Sequence, residues 1–539
     1  MKSIFINSTL VLTAFTMHSV VAQQKPNILC VVCEDISPYL GCYGDQVAKT
    51  PNLDKLATES IRFNRMYTTV GVCAPSRSAL ITGMYPTSIG ANHMRNFAPN
   101  ANYKALPYGL SSYEVVLPEG VKCYTEFLRA AGYFCTNNSK TDYQFAPPIT
   151  AWDENGQQAH WKNRPENTPF FAIFNLEVTH ESRIWMRSKE PLIVNPESII
   201  LPPYFPNDPV VRHDMAVLYS NIHEMDKQVQ KLIDEVKDAG LLDNTIIIFY
   251  SDNGGPMPRG KRALYESGTL VPFMIRYPDG YHKGDVENKL CSFVDIPATI
   301  LSLAGIKPPS YMQGQSFMGK YQEPDRQYVY GARNRMDEVI DKMGYIRDAK
   351  YRYIRNYMPE KANYMPNGYR LQMPMMRRMI ELLEKDSLNE VQKLWFKAPR
   401  PVEEFYDTAK DPFEINNIIN DPTYRKEIDR LRKAYNSWDT KYNRLWKLPE
   451  VETRELFWPG GIQPVMAKPE VKQTAKGLIL KSKIKGASFA YRIRCKDGDE
   501  KHWKLYTNPI PYKKGDLVSV VAVRAGYKNS DQVDYSVTK

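Results

Sequence analysis

The sequence contains no long hydrophobic run beyond its first two dozen residues, no internal repeat and no low-complexity segment. A helix that crosses a bilayer needs about 20 apolar residues, so we expect no membrane span. Zinc-finger spacing and RNP-type aromatic motifs are also missing. The formal net charge of +11 suits nucleic acid, an anionic membrane or a sulfated polysaccharide. The missing motifs make nucleic acid the weakest of these partners.

Cysteine is scarce as well, and its eight copies are spread along the chain rather than clustered. This distribution argues against a disulfide scaffold. Cys30 and Cys33 have the spacing of a redox pair, but they lie in a continuous apolar run typical of a buried strand. We therefore interpret them as small core residues. The cysteines are Cys30, Cys33, Cys42, Cys73, Cys123, Cys135, Cys291 and Cys495.

The N-terminus has the pattern of a signal peptide. Lys2 gives a positive start, an apolar stretch runs over residues 10–21, and small residues precede Gln23. The stretch is too short for a membrane anchor. We predict cleavage after residue 22 and an exported protein, either periplasmic or secreted.

The length of 539 residues exceeds one ordinary core and predicts several domains. Through residue 326, short apolar runs alternate with helical patterns, which predicts an α/β fold with a large, mostly parallel sheet sandwiched by helices. We expect buried strands over residues 27–32, 170–176, 245–250 and 271–277. We expect helices over residues 52–60, 75–82, 124–131, 215–239 and 293–304.

After residue 326 the pattern changes. Residues 327–457 predict a smaller α+β subdomain, with strands near 328–330 and 350–355, a long polar helix over 373–395 and another over 425–446. A linker over 458–470 precedes short strands separated by turns, which predict an all-β sandwich over 471–539. The expected organisation is thus a signal peptide (1–22), an α/β domain (23–326), this subdomain, the linker and the sandwich.

Polar residues follow three of the predicted buried strands. Glu34 and Asp35 follow the first, His180 follows the second, and Asp252 and Asn253 follow the third. In open parallel sheets, ligands bind beyond the carboxyl ends of the strands. Oxygen-rich sets of this kind suit a hard cation such as Ca²⁺ or Mg²⁺ better than zinc. Each pair alone could be a turn or a cap, but their coincidence at strand ends predicts a metal site.

Cys73 lies directly ahead of a predicted helix, because Pro75 suits the first helical position. Free backbone N–H groups and the helix dipole attract anions at such an end. Ser76 and Arg77 add donors in the first turn. An isolated cysteine is more often a small buried residue, but this arrangement predicts an oxyanion site beside a nucleophile.

The run around Cys73 resembles the signature of the formylglycine-dependent sulfatases, a family with an alkaline phosphatase-like fold. The family pattern is Cys-x-Pro-x-Arg with a later Leu-x-Thr-Gly. It is matched by Cys73-Ala74-Pro75-Ser76-Arg77 and Leu80-Ile81-Thr82-Gly83. Further similar runs extend the resemblance from Pro26 to about Asn417. The resemblance implies a sulfuric ester hydrolase in which a separate maturation enzyme oxidises Cys73 to formylglycine (3-oxoalanine).

In that family one hydroxyl of the hydrated aldehyde attacks sulfur, the alcohol leaves, and the second hydroxyl then expels sulfate. The resemblance also implies one Ca²⁺ ion. Its ligands map to Glu34, Asp35, Cys73 (as formylglycine), Asp252 and Asn253. Glu34 stands where the family more often has aspartate, so the charge is kept on a longer arm.

Four further roles follow from the resemblance, one residue at a time. Arg77 is implied to stabilise the aldehyde hydrate. Lys140 and Lys261 are implied to bind sulfate oxygens, and His180 to protonate the leaving oxygen.

The chain departs from the family pattern after Lys140. The family has Gly-Lys-x-His there, whereas this chain has Ser139-Lys140-Thr141-Asp142. Asp142 thus replaces a histidine that assists the collapse of the hydrate, and either Asp142 or another group takes over that role. Candidate substrate-binding residues are Asp142, His93, Arg95, Arg333 and Arg335. The last four could face a sugar with several anionic groups, or they could be surface charges.

The last part of the chain resembles the small β-sandwich at the end of some bacterial chitobiases and hexosaminidases, over residues 486–493, 503–506 and 523–527. Together with basic charge and predicted export, this favours a sulfated polysaccharide or its oligosaccharides as the substrate. Ulvan or another algal polysaccharide ranks slightly ahead of a glycosaminoglycan.

Two other functions remain open from the sequence. A phosphatase or phosphonate hydrolase of the same superfamily commonly uses threonine or serine and often two zinc ions. The cysteine motif and the total of eight histidines argue against it. A non-catalytic polysaccharide-binding protein would result if Cys73 stays unmodified.

Overall fold

The first half of the chain folds around a sheet of nine strands. The computed structural model describes residues 25–97, 106–495, 498–499 and 502–538, so the predicted signal peptide lies outside the described residues. The strands are β1 (Asn27–Cys33), β2 (Ile61–Tyr67), β3 (Phe134–Asn138), β4 (Glu154–Asn155), β5 (Phe170–Leu176), β6 (Thr245–Ser251), β7 (Leu270–Arg276), β8 (Val286–Glu287) and β9 (Cys291–Ser292). Their order is β4-β3-β5-β1-β6-β7-β2-β8, with β9 beside β2.

The sheet is mostly parallel, as the sequence predicts. β3, β5, β1 and β6 are parallel neighbours, and β2 is parallel to β8 and β9. β7 runs antiparallel to both β6 and β2. The reversal could not be predicted, because an apolar run shows that a strand is buried and not which way it points.

Helices lie between the strands of this sheet along the chain and continue through the region that follows it. In the described residues they are α1 (Pro51–Thr58), α2 (Cys73–Thr82), α3 (Pro86–Ile89), α4 (Tyr124–Ala130), α5 (Arg183–Met186), α6 (Pro209–Asp238), α7 (Glu266–Thr269), α8 (Asp295–Leu303), α9 (Pro374–Glu384), α10 (Glu390–Lys393), α11 (Arg425–Tyr442), α12 (Arg444–Lys447) and α13 (Glu450–Phe457). None of them combines the length and apolar content that a membrane crossing needs.

The two faces of β1 explain why this strand is apolar from Ile28 to Cys33. Ile28, Cys30 and Val32 face a core that includes side chains of α2, α4 and α8. Alternate residues, such as Leu29 and Val31, face a second core with α1, α6 and α9. Because side chains alternate across a strand, a sheet covered on both sides needs apolar residues at every position.

One predicted helix is wrong. Residues 373–395 do not form a single helix, because α9 ends at Glu384 and Asp386 takes a left-handed conformation with φ 51°. A new turn, α10, starts after Asn389, whose side chain caps it in a reciprocal pair with Gln392. Similarly, the helix predicted over residues 425–446 is divided at Asn443 into α11 and α12.

A second, antiparallel sheet follows the large one. Its strands, in order, are β10 (Val329–Met336), β11 (Val339–Arg347), β12 (Tyr351–Asn356) and β13 (Glu403–Asp407). Leu431 and Tyr435 of α11 share a core with Ile346 and Phe405 of this sheet. The predicted α+β character of this region is confirmed, while its exact boundaries stay predictions.

The chain ends in two small antiparallel sheets. One pairs β14 (Glu470–Thr474) with β15 (Gly477–Lys481). The other contains β16 (Ser488–Cys495), β17 (Gly498–Asp499), β18 (Lys504–Leu505), β19 (Leu517–Val523) and β20 (Val533–Ser536). Leu480 of the first sheet and Val520 of the second share one core. The predicted all-β character is confirmed, and the resemblance to chitobiase-type sandwiches stays a prediction.

Two buried arginines of β10 join the second sheet to its surroundings. Arg335 donates from Nε and Nη2 to the carboxylate of Glu450 in α13, at 2.6 and 2.8 Å. Arg333 binds Asp341 of β11, which also binds Arg400. The side chains of Arg333 and Arg335 are 1% and 0% exposed. Both therefore act here as interior charges.

Replacement of Arg335 by methionine should destabilise the protein, because Glu450 would stay buried without its main cationic partner. Packing of the methionine side chain should not offset this cost. We expect a loss of about 3–5 kcal/mol in the free energy of unfolding, measured as a lower urea midpoint. The matched control is Arg425→Met, which removes a 3.1 Å ion pair with Asp429 from a side chain that is 72% exposed and should cost less than about 1 kcal/mol. Equal decreases of the urea midpoint in both variants would show that Arg335 does not compensate a buried charge.

Candidate active site

Three neighbouring strands end at the same edge of the large sheet. Cys33, the last residue of β1, is in register with Leu176 of β5 and with Ser251 of β6. The residues after these strand ends therefore leave the sheet side by side. Contacts among these residues bring together Glu34, Asp35, His180, Asp252 and Asn253.

Cys73 begins α2 and faces this group. The helix starts at Cys73 rather than at residue 75, so the cysteine belongs to its first turn. Its Sγ lies 3.7 Å from Oδ1 of Asp35. Burial raises the pKa of the thiol far above its usual range, and the charge of Asp252 adds to the effect. A thiol kept protonated in this way is a poor nucleophile.

Gly71 allows the segment before Cys73 to pass close to the loop that carries Lys261. A Cβ at this position would collide with the carbonyl oxygens of Ala263 and Gly268. The carbonyl of Gly71 in turn accepts a hydrogen bond from the amide of Arg262 at 2.5 Å. Only glycine fits this approach, which fixes Cys73 and Lys261 relative to each other.

The carboxylates of the site are buried and crowded. Glu34, Asp35, Asp252 and Asn253 are at most 1% exposed. Asp35 is bound by the amide of Asn253 at 2.9 Å, and its own backbone N–H donates to Asp252 at 3.2 Å. Burial and the neighbouring carboxylates raise the pKa of Glu34. Removing such charges from water needs strong compensation.

A hard cation fits this set of donors. Oε1 of Glu34 and Oδ1 of Asn253 are buried and have no hydrogen-bond partner among the described residues. Oxygen atoms of Asp35 and Asp252 lie within 4.8 Å of each other and of the Cys73 Sγ. Carboxylate and amide oxygens at this density are typical ligands of Ca²⁺ or Mg²⁺.

Three cationic side chains surround the carboxylates. Arg77 donates from Nε to Asp252 at 2.9 Å and from Nη1 to Asn175 at 2.6 Å. Nζ of Lys140 donates to Glu34 at 2.8 Å, and Nζ of Lys261 donates to Asp35 at 2.6 Å. The positive charges and the start of α2 together form a site for an anion beside Cys73.

His180 is held as a neutral donor. Burial lowers the pKa of its imidazole well below the usual value, and Lys261 lowers it further. The backbone N–H of Ser182 donates to Nδ1 at 3.3 Å, so the hydrogen of the neutral ring is on Nε2. This nitrogen lies 3.7 Å from Glu34 and therefore points into the site.

Glu181, which the sequence analysis did not single out, links three segments of the site. Its carboxylate accepts from Arg262 at 2.8 and 3.0 Å and from Arg370, and lies 3.8 Å from Nζ of Lys261. Burial opposes ionisation, but the two arginines hold the pKa of Glu181 at about 2. His180 was predicted because it follows a buried strand, and the same argument applies to Glu181, the next residue. Nothing in the sequence indicated Arg262 or Arg370 as its partners.

Asp142 and Arg95 lie at the rim of the site. Nη2 of Arg95 is 3.3 Å from Asp142, and Nζ of Lys140 is 3.9 Å from it. Burial opposes ionisation, but these cations hold the pKa of Asp142 well below its usual range. The carboxylate is therefore ionised at neutral pH and is a weak base.

The other three predicted substrate-binding residues do not join this group. His93 is buried with Nδ1 at 3.6 Å from Glu450, and desolvation lowers its pKa to about 4. Arg333 and Arg335 have their guanidinium groups on Asp341 and Glu450. Glu450 is 115 positions from Arg335 in the sequence, so this pairing could not be predicted from spacing, whereas Asp341 lies on the strand next to Arg333. Substrate contact by these three residues stays a prediction.

Comparisons with known proteins agree on one family. The chain matches the family model described as Sulfatase over residues 26–306 and that described as N-sulphoglucosamine sulphohydrolase, C-terminal, over 259–365. It is 40% identical over 552 residues to an ulvan-active sulfatase of Formosa agariphila, with 96% of this chain and 92% of the relative covered. It is 26% identical to N-sulphoglucosamine sulphohydrolase of Homo sapiens, with 78% and 91% covered.

The fold is also similar to solved structures. A 2-O GAG sulfatase superposes with a TM-score of 0.58 at 20% identity, covering 78% of this chain and 94% of that one. The phosphonate monoester hydrolase of Agrobacterium radiobacter superposes with a TM-score of 0.54 at 16% identity, covering 85% and 99%. At these identities the likeness concerns the fold alone.

Replacement of Glu181 by glutamine should weaken anion binding, because the loop of Lys261 loses the charge that holds Arg262 and Arg370. We expect the dissociation constant of inorganic sulfate to rise about tenfold, equal to about 1.4 kcal/mol, in isothermal titration calorimetry. Glu404→Gln is the matched control: Glu404 is also a buried glutamate, and it binds two tyrosine hydroxyls away from Cys73.

Glu404→Gln should lower stability but leave sulfate affinity within a factor of two. If both variants bind sulfate as tightly as the wild type, Glu181 has only a structural role.

Proposed function

Because this chain belongs to the sulfatase family and is a sulfuric ester hydrolase, we propose that it is an exported carbohydrate sulfatase with a formylglycine nucleophile derived from Cys73. The observation that carries the proposal is the position of Cys73. It is buried at the start of α2, among carboxylates that suit a hard cation and beside Arg77, Lys140 and Lys261. A protonated thiol at this position is a poor nucleophile, so the modified residue fits the site better.

The proposed chemistry uses a formylglycine and a Ca²⁺ ion. Formylglycine at position 73 supplies a hydrated aldehyde as the nucleophile, and Ca²⁺ supplies Lewis-acid stabilisation of developing negative charge. Glu34, Asp35, Asp252, Asn253 and residue 73 would hold the ion. Oε1 of Glu34 and Oδ1 of Asn253, which are buried without a hydrogen-bond partner among the described residues, support this choice.

The side chains of the chain itself then have separate tasks. Arg77, Lys140 and Lys261 bind the oxygens of the sulfate group and stabilise negative charge on them in the transition state. His180 donates its Nε2 proton to the oxygen of the departing alcohol. The acid for this step is the imidazolium, formed when bound sulfate offsets the cations that keep the free ring neutral. Its second proton on Nδ1 faces Ser182 Oγ at 2.9 Å, and the ring returns to neutral imidazole as the alcohol leaves.

Asp142 has a supporting role in this scheme. Since it is ionised and paired with Arg95 and Lys140, we assign it to holding these cations at the rim rather than to accepting a proton. Arg95, with 30% of its side chain exposed, then contacts the substrate. The position of the family's histidine is thus taken by a pair of opposite charges.

The substrate is proposed from the relatives and from charge. One relative is named as an ulvan-active sulfatase at 40% identity, while another at 26% identity is named for N-sulphoglucosamine. A net charge of +11 favours a polyanion. We favour sulfated ulvan oligosaccharides over glycosaminoglycans as the substrate. We also propose that the enzyme is exported and that its terminal β domain is of the chitobiase type.

Mass spectrometry of the Cys73 peptide tests the nucleophile. After co-expression with a formylglycine-generating enzyme, the peptide should show sulfur replaced by oxygen with loss of two hydrogens. Cys73→Ala should lower kcat/KM for ulvan oligosaccharides at least about a thousandfold, as expected for a lost nucleophile. Cys123→Ala, a buried cysteine outside the site, is the matched control and should keep activity.

An unmodified peptide in a preparation that releases no sulfate would favour a non-catalytic polysaccharide-binding protein. Turnover of an aryl phosphate that exceeds that of the aryl sulfate would favour the phosphatase alternative.

Calcium binding can be measured apart from activity. Protein stripped with a chelator should gain thermal stability on addition of Ca²⁺, by about 2.7 kcal/mol at a hundredfold excess over Kd. Asp252→Asn should abolish this gain. Asp214→Asn, which alters a buried carboxylate bound to the backbone of Met375, should keep it. A gain that survives in Asp252→Asn would place the ion elsewhere.

A further inference from the structure

Aromatic rings that the proposed chemistry does not use lie beside His180. The centroid of the Tyr369 ring is 6.4 Å from that of the His180 imidazole, and Trp185 lies 5.2 Å from Tyr369. Both contacts are edge-to-face. Tyr369 is 36% exposed and Met186, next to Trp185, is 63% exposed. We call the rings of Trp185 and Tyr369 the aromatic platform.

Tyr369 is presented by a backbone that is fixed on both sides. Before it, the side chain of Asn367 donates to Asp337 at 2.7 Å and the amide of Gly368 donates to Glu338 at 2.6 Å. After it, Arg370 binds the buried carboxylate of Glu181. A ring held in place before the ligand arrives loses little conformational freedom on binding.

The platform belongs to the mouth of the site and not to a separate surface. The Tyr369 ring contacts the imidazole of His180, whose Nε2 lies 3.7 Å from Glu34. The next residue, Arg370, binds Glu181, so the ring lies beside the charged groups around Cys73.

The position of His180 limits what can lie on these rings. A proton donor must be within about 3 Å of the oxygen it protonates, so the ester oxygen of a bound substrate lies next to Nε2. The carbon skeleton attached to that oxygen then comes within reach of Tyr369. The C–H face of a pyranose ring is apolar and packs well on an aromatic side chain.

We infer that the aromatic platform binds the pyranose ring of the sugar that carries the sulfate ester. The inference rests on the proposed function, since it assumes that the sulfate lies beside residue 73. The platform thus selects cyclic sugar sulfates, whereas the charged groups bind sulfate itself. Contributions to binding from ring and sulfate are therefore separable by mutation.

The test compares saccharide turnover with sulfate affinity in matured enzyme. Tyr369→Ala should raise KM for ulvan oligosaccharides about tenfold, with kcat changed less than threefold. The inhibition constant of inorganic sulfate should stay within a factor of two, because sulfate touches the lysines and not the ring. Tyr369→Phe, which keeps the ring, should behave as wild type, and Trp185→Ala should raise KM in the same direction.

Tyr281→Ala serves as the control for removal of an exposed tyrosine. Tyr281 is 49% exposed and follows β7 at the opposite edge of the sheet. Unchanged KM in Tyr369→Ala, or a parallel rise of the sulfate inhibition constant, would overturn the inference. Failure of the wild-type enzyme to release sulfate from any saccharide would instead overturn the proposed function.

Discussion

Burial of like charges at one edge of the sheet is the constraint on which the site depends. Glu34, Asp35, Asp252 and Glu181 lie in the interior and would repel one another without compensation. Lysine and arginine side chains from four separate segments supply that compensation. These ion pairs hold in place the segments that carry the cations, which lie outside the strands of the sheet.

The same balance divides the proton chemistry between two side chains. His180 is neutral because it is buried near Lys261, and Asp142 is ionised because Arg95 and Lys140 face it. The first group can accept and then give a proton once an anionic substrate offsets the nearby lysine, and the second holds a permanent charge. Environment rather than residue type sets both states, which is how a chain without the usual histidine can keep a working site.

How much of this could be predicted depends on how local the signal is. β1, β5 and β6 are mostly apolar, so their approximate ends, and the polar residues after them, could be predicted directly from the sequence. The reversal of β7 depends on tertiary packing, and the break after α9 depends on a left-handed Asp386. Neither leaves a clear mark on hydrophobic periodicity.

Charged residues were the hardest to place. Arg95 and Arg335 look alike in the sequence, yet one lies at the rim and the other is enclosed by Glu450, which is more than a hundred positions away. Partners at such separations are not visible from composition or spacing. The pairing of Glu181 with Arg262 and Arg370 was not predicted for the same reason, although Glu181 is next to the predicted site residue His180.

The burial of Cys73 also has a consequence for how the molecule is made. In the folded chain its side chain is fully enclosed, and Gly71 keeps the preceding segment packed against the loop of Lys261. No enzyme can reach a thiol in that position. The proposed conversion must therefore happen while α2 is still unstructured, and a copy that folds first is trapped as an inactive product. The fraction of active molecules then depends on the rate of Cys73 oxidation relative to the rate of folding, and it is set during biosynthesis.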